Sequence, residues 1–123
     1  MKNSHTTQKV LSRVLRGDLN FQELKSYGFA VHHVDGLWNF PEYSGSPISV
    51  SIADVLNGFR ALQFDKARCT EWAQFVLAAS GYYDLSELER EPLGDDCLEA
   101  LWDLCRGDFI PMHNLLRELT DRD

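Results

Sequence analysis

Three features of the sequence predict an α+β fold that is predominantly helical. Its N-terminal helices and a β-hairpin at about residues 29–40 should pack with a C-terminal bundle of about four helices. First, from Ser51 to Leu119 apolar residues recur at helical spacing, in segments punctuated by capping residues, glycine and proline. Second, Asp35-Gly36 lies between Phe29–Val34 and Leu37–Phe40, and that dipeptide favours a two-residue hairpin turn because both central residues need positive φ. Third, 123 residues with 44% hydrophobic and 25% charged side chains suit a single domain with a core of its own. A composition shift near residue 47 divides that domain into a mixed part, 1–50, and a helical part, 51–123.

Each element follows from local chemistry. Val10, Leu11, Val14 and Leu15 give a helix over Thr6–Arg16, stopped by Gly17. Asn20 to Glu23 has the form of a capping box, opening a short helix that buries Phe21 and Leu24 and ends at Gly28. In the hairpin Val34 should face Leu37, His33 face Trp38 and Val31 face Phe40, so that Phe29, Val31, Trp38 and Phe40 share the inner face. Ile48–Val50 supplies a short third strand, since two strands alone are marginal in water. Ser51 and Asp54 form another capping box before the stripe Ile52, Val55, Leu56, Phe59 and Leu62. Asp65 caps the next helix, whose stripe is Cys69, Trp72, Ala73, Val76 and Ala79 or Ser80, closing at Gly81. The short turn between these two helices predicts antiparallel neighbours. One helical turn at Ser86–Glu89 is cut off by Pro92 and Gly94. Asp95 and Asp96 start a helix with Leu98, Leu101, Trp102 and Cys105 on one face, and Pro111 opens the last, with Met112, Leu115, Leu116 and Leu119 inward.

Charge narrows the function. The net charge is −7; residues 1–34 carry five bases and two acids, residues 35–123 seven bases and seventeen acids. That balance argues against general affinity for nucleic acid or an anionic membrane and favours a basic partner. The acids concentrate in Asp84–Glu99, where seven carboxylates accompany only Arg90. Tyr82 and Tyr83 precede them and would add apolar anchors to an acidic face made of Asp84, Glu87, Glu89, Glu91, Asp95 and Asp96. A solvated acidic turn with one buried tyrosine fits the same stretch equally.

Catalytic and metal-binding patterns are weak. His32 and His33 are adjacent on a strand and point to opposite faces, and neither His5 nor His113 adds zinc-ligand spacing. Cys97 lies near a helix start, where Asp95, Asp96 and Glu99 would oppose a thiolate; Cys69 and Cys105 fall on apolar stripes. Trp72 and Trp102 are expected in the core, and Trp38, Tyr43, Tyr82 and Tyr83 on or beside turns. There is no glycine-rich phosphate loop and no nucleophile elbow, so no cofactor is expected and a binding role outranks an enzymatic one. The odd number of cysteines, the absence of a signal-peptide pattern and the absence of a membrane-length apolar run predict a cytoplasmic protein.

Ser51-Ile-Ala-Asp-Val-Leu56, Thr70-Glu-Trp-Ala-Gln-Phe75 and Leu98-Glu-Ala-Leu-Trp-Asp-Leu104, followed by a short final helix, cover a little over half the chain. This arrangement resembles small acidic bacterial immunity proteins of contact-dependent and related polymorphic toxin systems. The resemblance implies a protein that binds and neutralises a cognate toxin domain, often a nuclease whose phosphate-binding surface is basic. Two other classes compete: a regulatory or adaptor module acting through the Trp38 hairpin, and a small enzyme using His32 or His33.

Overall fold

The computed structural model describes residues 4–28, 30–35, 37–42, 45–79 and 81–121. It is α+β and mostly helical, as its sequence predicts. The first helix, α1, spans Ser4–Leu15, and a 3-10 helix follows at Phe21–Tyr27. Asn20 caps the latter from both directions: its side chain accepts from the Gln22 N–H at 2.9 Å, and its own N–H donates to Glu23 at 3.2 Å. Gly28 ends it in the left-handed region with φ 74°.

Strands β1 (His32–Val34) and β2 (Leu37–Asn39) form the expected antiparallel hairpin, with His33 opposite Trp38 and Val34 opposite Leu37. Asp35 takes φ 53°, as the tight turn demands. Phe29, Gly36, Tyr43 and Ser80 fall outside the described residues. The hairpin's inner face docks through rings: Trp38 meets Phe21 edge-on at 5.1 Å, and Phe40 meets Tyr82 edge-on at 5.2 Å.

Strand β3 (Ile48–Ser49) does not join the hairpin. It pairs in parallel with β4 (Tyr83–Asp84), Ile48 opposite Tyr83, through Ile48 N–H to the Tyr82 carbonyl at 2.7 Å and Val50 N–H to the Asp84 carbonyl at 3.1 Å. A parallel pair needs a long crossover, here a helical one, and that is invisible to local pattern.

Helices α2 (Ile52–Ala61) and α3 (Lys66–Ala78) start at the predicted caps, Ser51 with Asp54 and Asp65. The antiparallel neighbours expected from their short connection meet over only a small contact. The turn runs through Gln63 (φ 56°) and Phe64 (φ 60°), and α3 packs chiefly along α5 (Gly94–Cys105). α2 approaches α3 at Gly58, where an added Cβ would lie 2.7 Å from the Trp72 ring and overlap the Leu15 carbonyl. Helix α4 (Ser86–Arg90) is short, and α6 (Ile110–Asp121) closes the bundle against α5.

One hydrophobic cluster runs through all these parts, from Val10 on α1 to Leu115 on α6. Two buried donors from the helical part tie it to α1. The Trp72 indole N–H donates to the Leu15 carbonyl at 3.1 Å, and the Tyr83 hydroxyl donates to the Leu11 carbonyl at 2.7 Å. Leu15 ends α1, so the indole satisfies one of the carbonyls a helix end leaves without an intrahelical partner.

The face α5 buries differs from the sequence expectation. Cys97, Ala100, Leu101 and Leu104 are buried, whereas Trp102 is 52% exposed and Leu98 and Cys105 are half-buried. Two helical stripes compete on this helix and share Leu101. The one bearing Gly94, Cys97 and Ala100 wins because its small side chains let α3 and α4 approach closely.

Gly94 is the tightest of these contacts, for a Cβ there would overlap the Leu88 carbonyl oxygen. Gly94→Ala should therefore cost about 1–3 kcal/mol, seen as a lower urea midpoint at unchanged slope. Gly81→Ala, where nothing lies within 4 Å of an added Cβ, should leave the midpoint nearly unchanged. Equal responses at the two glycines would contradict the α4–α5 contact.

Candidate functional site

The acidic stretch folds as β4, α4 and the start of α5, broken at Pro92-Leu93, where Leu93 takes φ 66°. Its carboxylates divide by what they touch. Glu87, Glu89, Asp95, Asp96 and Glu99 are exposed. Glu87 pairs with Arg90 at 3.2 Å, but at such exposure the pair adds little stability. Asp95 and Asp96 occupy the first turn of α5, where the helix dipole favours negative charge. Asp84 is exposed as well and accepts from the Ser86 N–H at 3.0 Å. Hydrogen bonds from Ser86, backbone first and then side chain, with a smaller contribution from Arg90, hold its carboxyl below the usual value.

Glu91 behaves differently. It is half-buried, and its Oε2 accepts from the Ile52 N–H at 2.9 Å, so it caps α2 from 39 residues away. Its carboxylate serves the fold and is removed from the outward face expected of it.

Tyr82 and Tyr83 are also withdrawn from that face. They are 4% and 2% exposed, packed against Phe75, and Tyr82 donates its hydroxyl to the Pro41 carbonyl at 2.6 Å. Burial pushes both phenols well above their ordinary pKa. They are drawn inward because Tyr83 pairs with Ile48 of β3 and Tyr82 packs against Phe40 beside the hairpin. The exposed aromatic near the acids is Trp102 instead. Asp95, Glu99 and Trp102 follow one another at i, i+4 and i+7 on the outer face of α5, all exposed.

Trp102 borders an open groove. His33 and Trp38 of the hairpin, Gln74, Leu77 and Ala78 of α3, and Trp102 and Cys105 of α5 line it. His33 stacks on Trp38 with ring centroids 4.1 Å apart and planes 4° from parallel, so its imidazole belongs to that lining. Leu77 also lines a neighbouring hollow with Pro47, Val76, Tyr83, Asp84 and Leu85, which continues the depression toward the acidic stretch. The sequence signals for this groove are the Trp102 stripe on α5 and the His33–Trp38 pairing of the hairpin; their meeting is not legible, since it needs the hairpin to dock beside α3.

His32 and His33 have different exposures, consistent with opposite strand faces. Among the described residues, no three His, Cys, Asp or Glu side chains converge to hold a metal ion, and no helix is long and apolar enough to cross a membrane. Compared with known proteins, the chain matches no family, no curated protein and no solved structure.

The cysteines are free thiols, Cys69 and Cys97 buried and Cys105 half-buried. Burial first, with Asp65 and Glu91 adding at two of them, raises Cys69 and Cys105 from 9.0 to about 11 and Cys97 to about 12. Each thiol ionises more readily in the unfolded chain. Its contribution to stability is complete below pH 9.0 and is lost as pH rises from there through the folded values of about 11 and 12. Denaturation midpoints should thus fall across that window, and a thiol reagent at neutral pH should label Cys69 and Cys97 only upon unfolding. Rapid labelling of Cys97 in the native protein would contradict its burial.

Proposed function

We propose that this chain is a non-enzymatic inhibitor, an immunity protein that binds a cognate toxin domain in the bacterial cytoplasm and covers its basic surface. A nuclease is the toxin class that such charge suits best, because a phosphate-binding surface is basic. One observation carries this reading: Asp84, Glu87, Glu89, Asp95, Asp96 and Glu99 are all exposed along β4, α4 and α5, and Trp102 is exposed on the same outer face of α5. Opposite charge speeds encounter and fixes orientation, while an exposed tryptophan supplies the apolar contact that slows dissociation. Small, tightly packed connectors such as Gly94 restrict the backbone under the acids, which limits the entropy lost on binding. The inhibitor needs no reaction chemistry of its own.

A second reading, an adaptor that docks through the hairpin, draws on Val34 and Leu37, which are 64% and 76% exposed at its tip.

The two readings part on the effect of substitutions. Glu87→Lys, Glu89→Lys and Asp96→Lys together spare Asp84 and Glu91, whose carboxylates bond the backbone. Measured against the product of the adjoining upstream gene, where an immunity protein's toxin would be encoded, the triple variant should associate at least about tenfold more slowly at low salt. The difference should shrink at high salt. Val34→Ser with Leu37→Ser should leave association nearly unchanged. The reverse pattern would favour the adaptor, and no effect from either set would remove both surfaces.

A further inference from the structure

The groove between the hairpin and α5 has the chemistry of a cation site, and we propose that it takes the guanidinium of an arginine presented by the protein partner. Trp102, 52% exposed, lines the same groove as the stacked His33–Trp38 pair, and the face of an indole attracts a cation. The last turns of two helices meet there. Leu77 and Ala78 end α3, and Trp102 and Cys105 end α5, so the partially negative ends of both helix dipoles border one groove.

Helices commonly answer that charge with a lysine or arginine in the final turn, and neither α3 nor α5 has one. Arg106 follows α5 directly but pairs with Asp103. Gln74 donates its amide nitrogen to the Cys105 carbonyl at 3.2 Å, leaving its amide oxygen as the acceptor it brings to the groove. Glu99, one turn before Trp102 on the same face, adds a formal negative charge to the approach. Planar stacking combined with several donors selects arginine over lysine, whose ammonium is a strongly hydrated point charge. For the identity of the donating protein this rests on the function proposed above; the groove's preference for the cation does not.

The three tryptophans make the test direct. Indole N–H resonances of the 15N-labelled protein would be followed while Nα-acetyl-arginine amide is added. Nα-acetyl-citrulline amide, a neutral molecule of nearly the same shape, would be titrated in parallel. The Trp102 signal should shift saturably with the arginine derivative. Trp72, buried and bonded to the Leu15 carbonyl, should stay put. Citrulline should bind at least about tenfold more weakly, and in Trp102→Ala, a substitution at an exposed site, the saturable shift should be lost at the Trp38 indole, which lines the same groove. Equal binding of citrulline, a matching shift at Trp72, or no saturable shift at all would overturn the site. If the arginine derivative saturates while no toxin partner is bound, the site stands and the inhibitor reading fails. If the carboxylate reversals weaken the partner but arginine amide leaves Trp102 unmoved, the inhibitor reading stands and the site fails.

Discussion

Tyr83 is the residue on which the rest of the arrangement depends. Its ring is fully enclosed against Phe75, its hydroxyl reaches the Leu11 carbonyl of α1, and its backbone lies in the β3–β4 pair. A buried hydroxyl must find a partner, and this one finds it across 72 residues of sequence. The Trp72 indole repeats the device four residues further along α1, at Leu15. Together they bind the helical part to the first helix with polar contacts whose geometry admits little slack. An apolar core alone would tolerate sliding. These two hydrogen bonds specify the seating.

With Tyr83 held inside, the chain that leaves it is forced outward. Asp84 turns on Ser86, α4 lasts only from Ser86 to Arg90, and Leu93 and Gly94 reverse it into α5 under close contact with Leu88. The acids of this stretch have no buried surface to reach except at Glu91, which goes to the amino end of α2. The outer carboxylates are thereby presented on short, well-packed elements instead of a loose loop. The same close approach of α3 to α5 turns Trp102 away from the core and toward the hairpin, so the acidic face and the aromatic groove arise from one packing choice.

What the sequence discloses is what a few neighbouring residues decide among themselves. Asn20 with Glu23, Ser51 with Asp54, and Asp65 act within a single turn, and the caps stand where the sequence puts them. The hairpin register follows from Asp35 and the alternation around it. The misses are all long-range. Nothing near Ile48 indicates that its strand partner is Tyr83, and nothing near Glu91 indicates that its carboxylate belongs to Ile52. On α5 the residues at 98, 101, 102 and 105 are larger and more apolar than the winning stripe. Hydrophobicity favours the former, but close packing favours the small Gly94, Cys97 and Ala100. Tyr82 and Tyr83 look like surface anchors beside acids because their polar tips suit either setting; the carbonyls at Pro41 and Leu11 that accept from them decide it.

In the proposed function the β4–α4–α5 surface, with Trp102 at its end, is the face that meets the partner. Hydrogen exchange of the free protein and of its complex with the upstream gene product tests it without altering a residue. Amides of residues 84–106, together with those of β1 and β2 beside the groove, should gain protection in the complex, while α1 and α6 exchange as before. Protection confined to α1 or α6, with residues 84–106 unchanged, would contradict it.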